Sequence, residues 1–154
     1  MCLVCDRIHL IRQGRNPYFV RELETGYVVI GDHQHFAGYT LFLYKHHGET
    51  TELFHLPMPE REKFMREMTL VAEAVSRAFH AEKMNYELLG MGDNHLHWHL
   101  FPRRDGDIGN YGNRGKGPVW WYPKEKMYAD DNWPTEDQLS RMIADLNAEL
   151  DRLL

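Results

Sequence analysis

The segment NHLHWHLFPR, residues 94–103, constrains this chain most, because it places a histidine at every second position of an apolar run. Side chains alternate between the two faces of a β-strand, so His95, His97 and His99 would project to one side at steps of about 6.6 Å. The apolar side chains between them would project to the other side: Leu96, Trp98 and Leu100. The pattern predicts a half-buried strand whose second face carries imidazoles.

The histidine row is a poor choice for stability alone, since neighbouring imidazoles repel each other when they are protonated. We therefore interpret the row as functional. It could hold a metal ion, because neutral imidazole is a common zinc ligand, or it could hold a nucleophile and its helpers. The spacing does not decide which imidazole has which role.

Length and composition predict one small globular domain. The chain has 154 residues and a formal net charge of -5, which argues against a nucleic-acid binder that works by bulk charge. We expect no membrane span and no signal peptide, since no apolar run approaches about 18 residues. Its two cysteines, Cys2 and Cys5, make a disulfide scaffold a poor interpretation, so we expect a cytoplasmic protein with a metal site or two free thiols.

The rest of the sequence predicts an α+β domain. Four strands are expected, at 27–30, 39–44, 86–90 and 95–101. Pro102 would stop the last strand, and a tight turn at 92–94 would pair it antiparallel with the strand before. A helix is expected at 60–80 and an irregular segment at 104–128. The capping box at 135–138 begins a C-terminal helix, whose apolar stripe would pack on the domain or on a partner chain.

The histidine row, followed by Pro102-Arg103, resembles the signature of the histidine triad (HIT) superfamily. The resemblance covers about residues 2–104, because the pair Cys2-Leu-Val-Cys5 and the segment GYTLFLYKHH at 38–47 are also similar to blocks of that family. It implies a HIT-like fold for a single domain, 1–154: an antiparallel sheet with a central helix and a C-terminal helix. Residues 105–154 would be its aromatic-rich segment and last helix.

The resemblance implies cleavage at the α-phosphorus of a nucleotide conjugate, such as diadenosine tetraphosphate or an adenylylated compound. His97 would form a phosphohistidine, and His99 would bind phosphate oxygens and help the leaving group depart. A histidine rather than a glutamine at 99 favours the hydrolase branch over the transferases. Further nucleotide contacts are expected at Asp32, Gln34 and Asn85, although Asn85 also fits turn chemistry. Such enzymes usually act as homodimers.

The resemblance also implies a structural zinc site formed by Cys2, Cys5, His47 and His95. A closed site of this kind would pin the N-terminus to the sheet and would leave His95 outside the catalytic work. The alternative is that both cysteines are free thiols.

Two departures from the family pattern keep other hypotheses open. Tyr39 stands where hydrolases often have a histidine that supports the catalytic one, and the approach to the row is Gly90-Met-Gly-Asp-Asn94. One alternative is a metal-dependent hydrolase whose three strand histidines bind one ion, and another is a nucleotide-binding regulator without turnover. A dense aromatic group would pack across a dimer contact or over the sheet or, as the second choice, form a wall of the substrate pocket: Trp120, Trp121, Tyr122 and Trp133.

Overall fold

A single sheet organises the chain. The structure is a computed structural model that describes residues 2–109 and 117–154, and these contain a five-stranded antiparallel sheet in the order β1-β2-β3-β5-β4. Its strands are β1 (Phe19–Glu22), β2 (Gly26–Ile30), β3 (Thr40–Tyr44), β4 (Lys83–Glu87) and β5 (His97–Arg103). The predicted α+β class with an antiparallel sheet is confirmed.

Four α-helices accompany the sheet within the described residues: α1 (Leu3–Arg12), α2 (Met58–Ala78), α3 (Lys124–Met127) and α4 (Glu136–Leu153). The predicted central helix is α2, and the predicted C-terminal helix is α4. The Thr135 hydroxyl accepts the backbone N–H of Gln138, and the Gln138 side chain accepts the backbone N–H of Thr135, which completes the expected capping box. None of these helices has the length and apolar character that a bilayer span requires.

The two faces of the sheet are covered differently. Helices α2 and α4 cover one, which we call the helix face, and there they bury Leu96, Trp98 and Leu100. The apolar stripe of α4 is thus used within its own domain. The opposite face, which we call the pocket face, carries α1 and the segment 117–128 in a core that includes Phe101. His97 and His99 contact each other on the pocket face, and the His99 ring packs on Phe101, so the predicted alternation is present at 97–101, whereas His95 lies before the first residue of β5.

The last two strands differ from their predicted bounds. The structure places β4 at Lys83–Glu87 rather than at 86–90, and residues 88–96 connect it to β5, so the expected tight turn at 92–94 is only part of a longer loop. Strand β5 runs through Pro102, which was expected to end it. β3 begins at Thr40, which lies opposite Leu100, so Pro102 has no β3 neighbour that would need an N–H donor, and it pairs only with Met84.

Two elements near the N-terminus, α1 and β1, were not predicted. Val4, Ile8 and Ile11 of α1 are buried at helical spacing, and burial of one such side chain contributes about 1.5–3 kcal/mol. The segment 104–128, predicted to be irregular, contains α3 and a short 3₁₀ turn at Val119–Trp121, while its residues 110–116 lie outside the described part. Helix α1 matters for the site, because it brings Cys5 and Arg7 to the pocket face.

Candidate active site and metal centre

His97 is anchored through one ring nitrogen. Its Nδ1 lies 2.5 Å from the main-chain oxygen of His95. A carbonyl oxygen can only accept a hydrogen bond, so Nδ1 carries the proton and Nε2 keeps its lone pair. Burial lowers the pKa of His97 below its usual value, which keeps the ring neutral. The imidazole at 97 is therefore a base with one free nitrogen.

His99 has an anchor of another kind. Its Nδ1 lies 2.6 Å from the hydroxyl of Tyr39, and its ring contacts the His97 ring at a centroid distance of 4.7 Å. Burial, and to a lesser extent the neighbouring His97, lower the pKa of His99 to about 3. Two neutral imidazoles thus lie side by side on the pocket face.

Both rings line a cavity of about 190 Å³, which we call the histidine pocket. Whole small-molecule sites usually measure about 300–1,000 Å³, so this cavity encloses only part of a nucleotide-sized ligand. Its wall combines the histidines with one cation, two carboxylates and an aromatic rim: Arg7, Asp32, His33, Tyr39, Asp93, His97, His99, Trp120 and Tyr128, together with Leu3, Val4, Leu41 and Leu43.

Arg7 brings a positive charge from α1 into this wall. Its Nη1 donates to Oδ1 of Asp32 at 2.8 Å, and its Nη2 donates to Oδ2, so the pair is bidentate and partly buried. A guanidinium beside a free imidazole nitrogen suits a phosphate group, because arginine recognises the planar oxygens of phosphate and carboxylate alike.

The pocket also contains polar atoms without partners among the described residues. Nε1 of Trp120 and Nδ1 of His33 are buried and have no hydrogen-bond partner. The Trp120 ring meets the His99 ring edge-on at 5.1 Å, and His33 packs on Tyr128 at 4.3 Å. A buried donor without a partner costs free energy, and a bound group with acceptor oxygens would remove that cost.

A second group of side chains lies beside the pocket, and we call it the cysteine–histidine cluster: Cys2, Cys5, His47 and His95. One ligand atom from each lies within 4.8 Å of the others. The Cys5 sulfur is 3.1 Å from Nδ1 of His47 and 3.4 Å from Nδ1 of His95, and the Cys2 sulfur is 3.8 Å from the latter. Tetrahedral zinc, with its usual bond lengths, separates sulfur and nitrogen ligands by about 3.6 Å, so these four residues fit that ion.

The outer nitrogens of both cluster histidines are also held. Nε2 of His95 donates to the main-chain oxygen of Tyr44 at 2.7 Å, and Nε2 of His47 donates to Oδ1 of Asn94 at 3.0 Å. Each ring therefore keeps its Nδ1 lone pair for the cluster. Metal-binding histidines usually have such a partner on the second nitrogen, which fixes the ring and makes it a better ligand.

The predicted nucleotide contacts fall into two groups. Asp32 and His99 line the histidine pocket, while Gln34 and Asn85 do not. The Gln34 amide instead bonds the main chain of Gly31, Gly38 and Tyr39 and braces that loop. On β4, the Asn85 amide donates to Glu87 and to the carbonyl of Gly117.

Several residues of the pocket wall were missed from sequence. The apolar spacing of Val4, Ile8 and Ile11 was a signal for α1 and hence for Arg7. Trp120 was considered as a pocket wall but ranked second, and the structure places it there, against His99. His33 and Tyr128 had no such signal, since each reaches the pocket through loop geometry alone.

Comparison with known families gives one match within the chain. The family model of the HIT domain matches residues 20–106, which is more than half of the sequence. No curated protein sequence matches the chain.

Solved structures share the fold. A crystal structure of a histidine triad protein from Marinobacter aquaeolei VT8 superimposes with a TM-score of 0.70 at 23% identity, over 88% of this chain and 90% of that one. A HIT protein from Sinorhizobium meliloti 1021 gives 0.67 at 24%, over 95% and 93%. A zinc-bound histidine triad family protein from Mycobacterium smegmatis gives 0.63 at 22%, over 98% and 96%. At these identities the likeness establishes the fold alone.

Proposed function

Because the chain belongs to the HIT domain family, we propose that it is a nucleotide phosphohydrolase that acts at the α-phosphorus of a nucleotide conjugate. The substrate would be a dinucleoside polyphosphate, such as diadenosine tetraphosphate, or an adenylylated compound. Hydrolysis would pass through a phosphohistidine on His97.

One observation carries this proposal: the only ring nitrogen of His97 that keeps a lone pair is Nε2, since Nδ1 is bonded to the His95 carbonyl. His97 lines the histidine pocket, and Arg7, His99 and Trp120 line it too. A nucleophile next to donors suited to phosphate oxygens is what phosphoryl transfer needs, since its catalysis is mainly positioning and charge stabilisation.

The proposed reaction has two displacements. In the first, the Nε2 lone pair of His97 bonds to the α-phosphorus, and the phosphorus–leaving group bond breaks with its electron pair on the leaving group. The His95 carbonyl stabilises the positive charge on the ring through Nδ1–H. In the second, a water oxygen bonds to phosphorus, the nitrogen–phosphorus pair returns to Nε2, and a water proton goes to solvent.

His99 and Asp32 are the substrate contacts that the pocket supports. His99 would donate to phosphoryl oxygens, and Asp32 would accept ribose hydroxyls. Arg7 already donates to the Asp32 carboxylate. A bound nucleotide would therefore share that carboxylate with Arg7 or displace Arg7 from it. We leave Gln34 and Asn85 out of this contact set, because both are bonded elsewhere.

We further propose that the cysteine–histidine cluster binds zinc through Cys2, Cys5, His47 and His95. There zinc would supply a structural crosslink between α1, the end of β3 and the start of β5. Reduced cysteines fit a reducing compartment, so we propose a cytoplasmic location. A homodimer stays a prediction, and its contact would use surface other than the apolar stripe of α4, which packs on its own domain.

The two alternative hypotheses are less well supported. One catalytic ion on all three strand histidines would need three free nitrogens that converge, but Nδ1 of His95 points to the cysteines and Nδ1 of His97 is bonded to a carbonyl. A regulator without turnover is compatible with the Tyr39 departure, and only a turnover assay separates it from an enzyme.

The test is covalent capture. We expect that diadenosine tetraphosphate labelled at the α-phosphorus and quenched in base will leave acid-labile label on wild-type protein and none on His97→Asn. His46→Asn is the matched control, because His46 is exposed outside the pocket. Absence of label together with full activity of His97→Asn rejects the mechanism. Tight nucleotide binding without any product favours the regulator.

A further inference from the structure

Tyr39 is held in place by its surroundings. Its ring stacks on Phe101 at a centroid distance of 4.2 Å and an interplanar angle of 8°. The ring also lies against Gly31, where an added Cβ would come within 2.1 Å of the Tyr39 ring. Glycine is required at 31 by this close approach, because a side chain there would overlap the Tyr39 ring beside His99.

The Tyr39 hydroxyl faces the His99 ring. Among the described residues, Nδ1 of His99 at 2.6 Å is its one hydrogen-bond partner. Burial raises the pKa of Tyr39 well above its usual value, so the hydroxyl keeps its proton. A phenol that keeps its proton is the donor, and the imidazole nitrogen that faces it is the acceptor.

This bond determines the tautomer of His99. With Nδ1 as acceptor, the single ring proton of the neutral imidazole is on Nε2. The pocket therefore holds a pair of unlike imidazoles: His97 with a free Nε2 lone pair, and His99 with an Nε2–H donor.

We propose that Tyr39 is a positioning residue that holds His99 as the neutral Nε2–H donor, and that this restricts the enzyme to nucleotidyl anhydrides over phosphoramidates. The inference rests on the proposed phosphohydrolase function and names its substrate class.

The restriction follows from proton balance. When His97 displaces a phosphate from a nucleotidyl anhydride, the breaking P–O bond leaves its electron pair on a stable anion, which needs only hydrogen bonds. When His97 displaces an amine, the nitrogen that leaves must gain a proton as the P–N bond breaks. Neutral His99 could supply that proton only by becoming an imidazolate, or by drawing the Tyr39 proton and leaving a buried tyrosinate.

The first experiment compares two substrates on the wild-type protein, diadenosine tetraphosphate and adenosine phosphoramidate. We expect kcat/KM to be at least about 100-fold higher for the anhydride, since a missing proton donor usually costs about 10²–10⁴-fold. Equal rates on both substrates would overturn the inference and leave the phosphohydrolase function intact. No turnover of either would overturn both.

The second experiment reads the tautomer directly from ¹⁵N chemical shifts of the His99 ring. In the wild-type protein we expect an acceptor shift at Nδ1 and a protonated shift at Nε2, and a mixture of tautomers in Tyr39→Phe. That variant should lose about tenfold in kcat on the anhydride with KM nearly unchanged, the cost of one hydrogen bond to the donor.

Tyr27→Phe is the matched control. Tyr27 is also buried on the pocket face, but its hydroxyl contacts Arg12 and does not line the pocket. A protonated Nδ1 on wild-type His99, or an unchanged tautomer and rate in Tyr39→Phe, would refute the assignment. If Tyr39→Phe does not fold, the wild-type spectrum still decides.

Discussion

The cysteine–histidine cluster and the histidine pocket use the same residue type in opposite ways. His95 bonds the Tyr44 carbonyl through Nε2 and turns Nδ1 to the cysteine sulfurs. His97, two residues later, bonds the His95 carbonyl through Nδ1 and turns Nε2 to the pocket. A carbonyl only accepts, so the main chain decides which nitrogen keeps its lone pair. Identical side chains two residues apart thus present opposite ring nitrogens because of their anchors, and we propose one as a metal ligand and the other as a nucleophile.

The two regions are also joined. The carbonyl that holds His97 belongs to His95, whose ring lies in the cluster. Helix α1 carries Cys5 to the cluster and Arg7, two residues on, to the pocket. A perturbation of the cluster should therefore reach the pocket, whereas a change in the pocket need not reach the cluster.

The largest expected effect comes from a substitution that changes the histidine pocket and leaves the cluster intact. His97→Asn keeps a donor near the Nδ1 position but has no nucleophile, so we expect kcat to fall by roughly 10⁴-fold or more while Tm changes little. Steady-state hydrolysis of diadenosine tetraphosphate, with thermal unfolding in parallel, measures both. If His97→Asn retains activity, His97 is not the nucleophile and the proposed difference from His95 is lost. His46→Asn is the control for loss of an imidazole elsewhere in the protein.

The next largest effect comes from a substitution in the cysteine–histidine cluster. Cys5→Ser removes one of the four proposed zinc ligands, and we expect the free energy of unfolding to fall by about 3 kcal/mol, which lowers Tm by roughly 10 °C. Activity should fall too, because α1 carries Arg7. Metal content measures the loss of zinc, Tm measures the loss of stability, and amide exchange of residues 3–12 measures the opening of α1. A chelator should lower Tm of the wild type and leave Cys5→Ser unchanged; an equal effect on both would contradict a metal site.

A smaller effect concerns pH and separates the pocket from the cluster. The pKa of His99 is lowered by burial to about 3. The unfolded chain binds a proton there near pH 6.5 and the folded chain does not, so stability is lost as pH falls from 6.5 toward 3, by about 2 kcal/mol at pH 5.

Denaturant unfolding at pH 7 and pH 5 of wild type and His99→Asn measures this loss. Acid release of metal from the cluster affects both proteins and cancels in the difference between them. Parallel pH dependence of the two proteins would mean that His99 gains its proton in the folded state.

The smallest effect tunes the cluster without removing a ligand. Asn94→Ala removes the acceptor for Nε2 of His47, and loss of such a partner lowers metal affinity by about tenfold, or ~1.4 kcal/mol. Competition with a chromogenic chelator measures it. Asn85→Ala is the control, because Asn85 lies on β4 and takes no part in the cluster. Equal affinities of the two variants would show that Asn94 does not orient His47.

Strong periodicity made the central part of the fold predictable. The alternation at 95–101 and the helical spacing of α2 depend on residues close in sequence, so both could be recognised directly. The ends of β4 and β5 could not, because their register depends on pairing with each other and with β3. Helix α1 had a readable apolar pattern but was overlooked beside the cysteine pair.

The sequence by itself determined that His97 and His99 share one face of a strand, that a cysteine pair lies near the first residue given, and that the family is HIT. Only the tertiary structure decided which ring nitrogen of each imidazole keeps its lone pair. The partners that set the ring nitrogens are the Tyr44 carbonyl for His95, the His95 carbonyl for His97 and the Tyr39 hydroxyl for His99. Two of these come from a neighbouring strand or loop more than 50 residues away, and a hydrogen bond depends on distance in space, not along the chain.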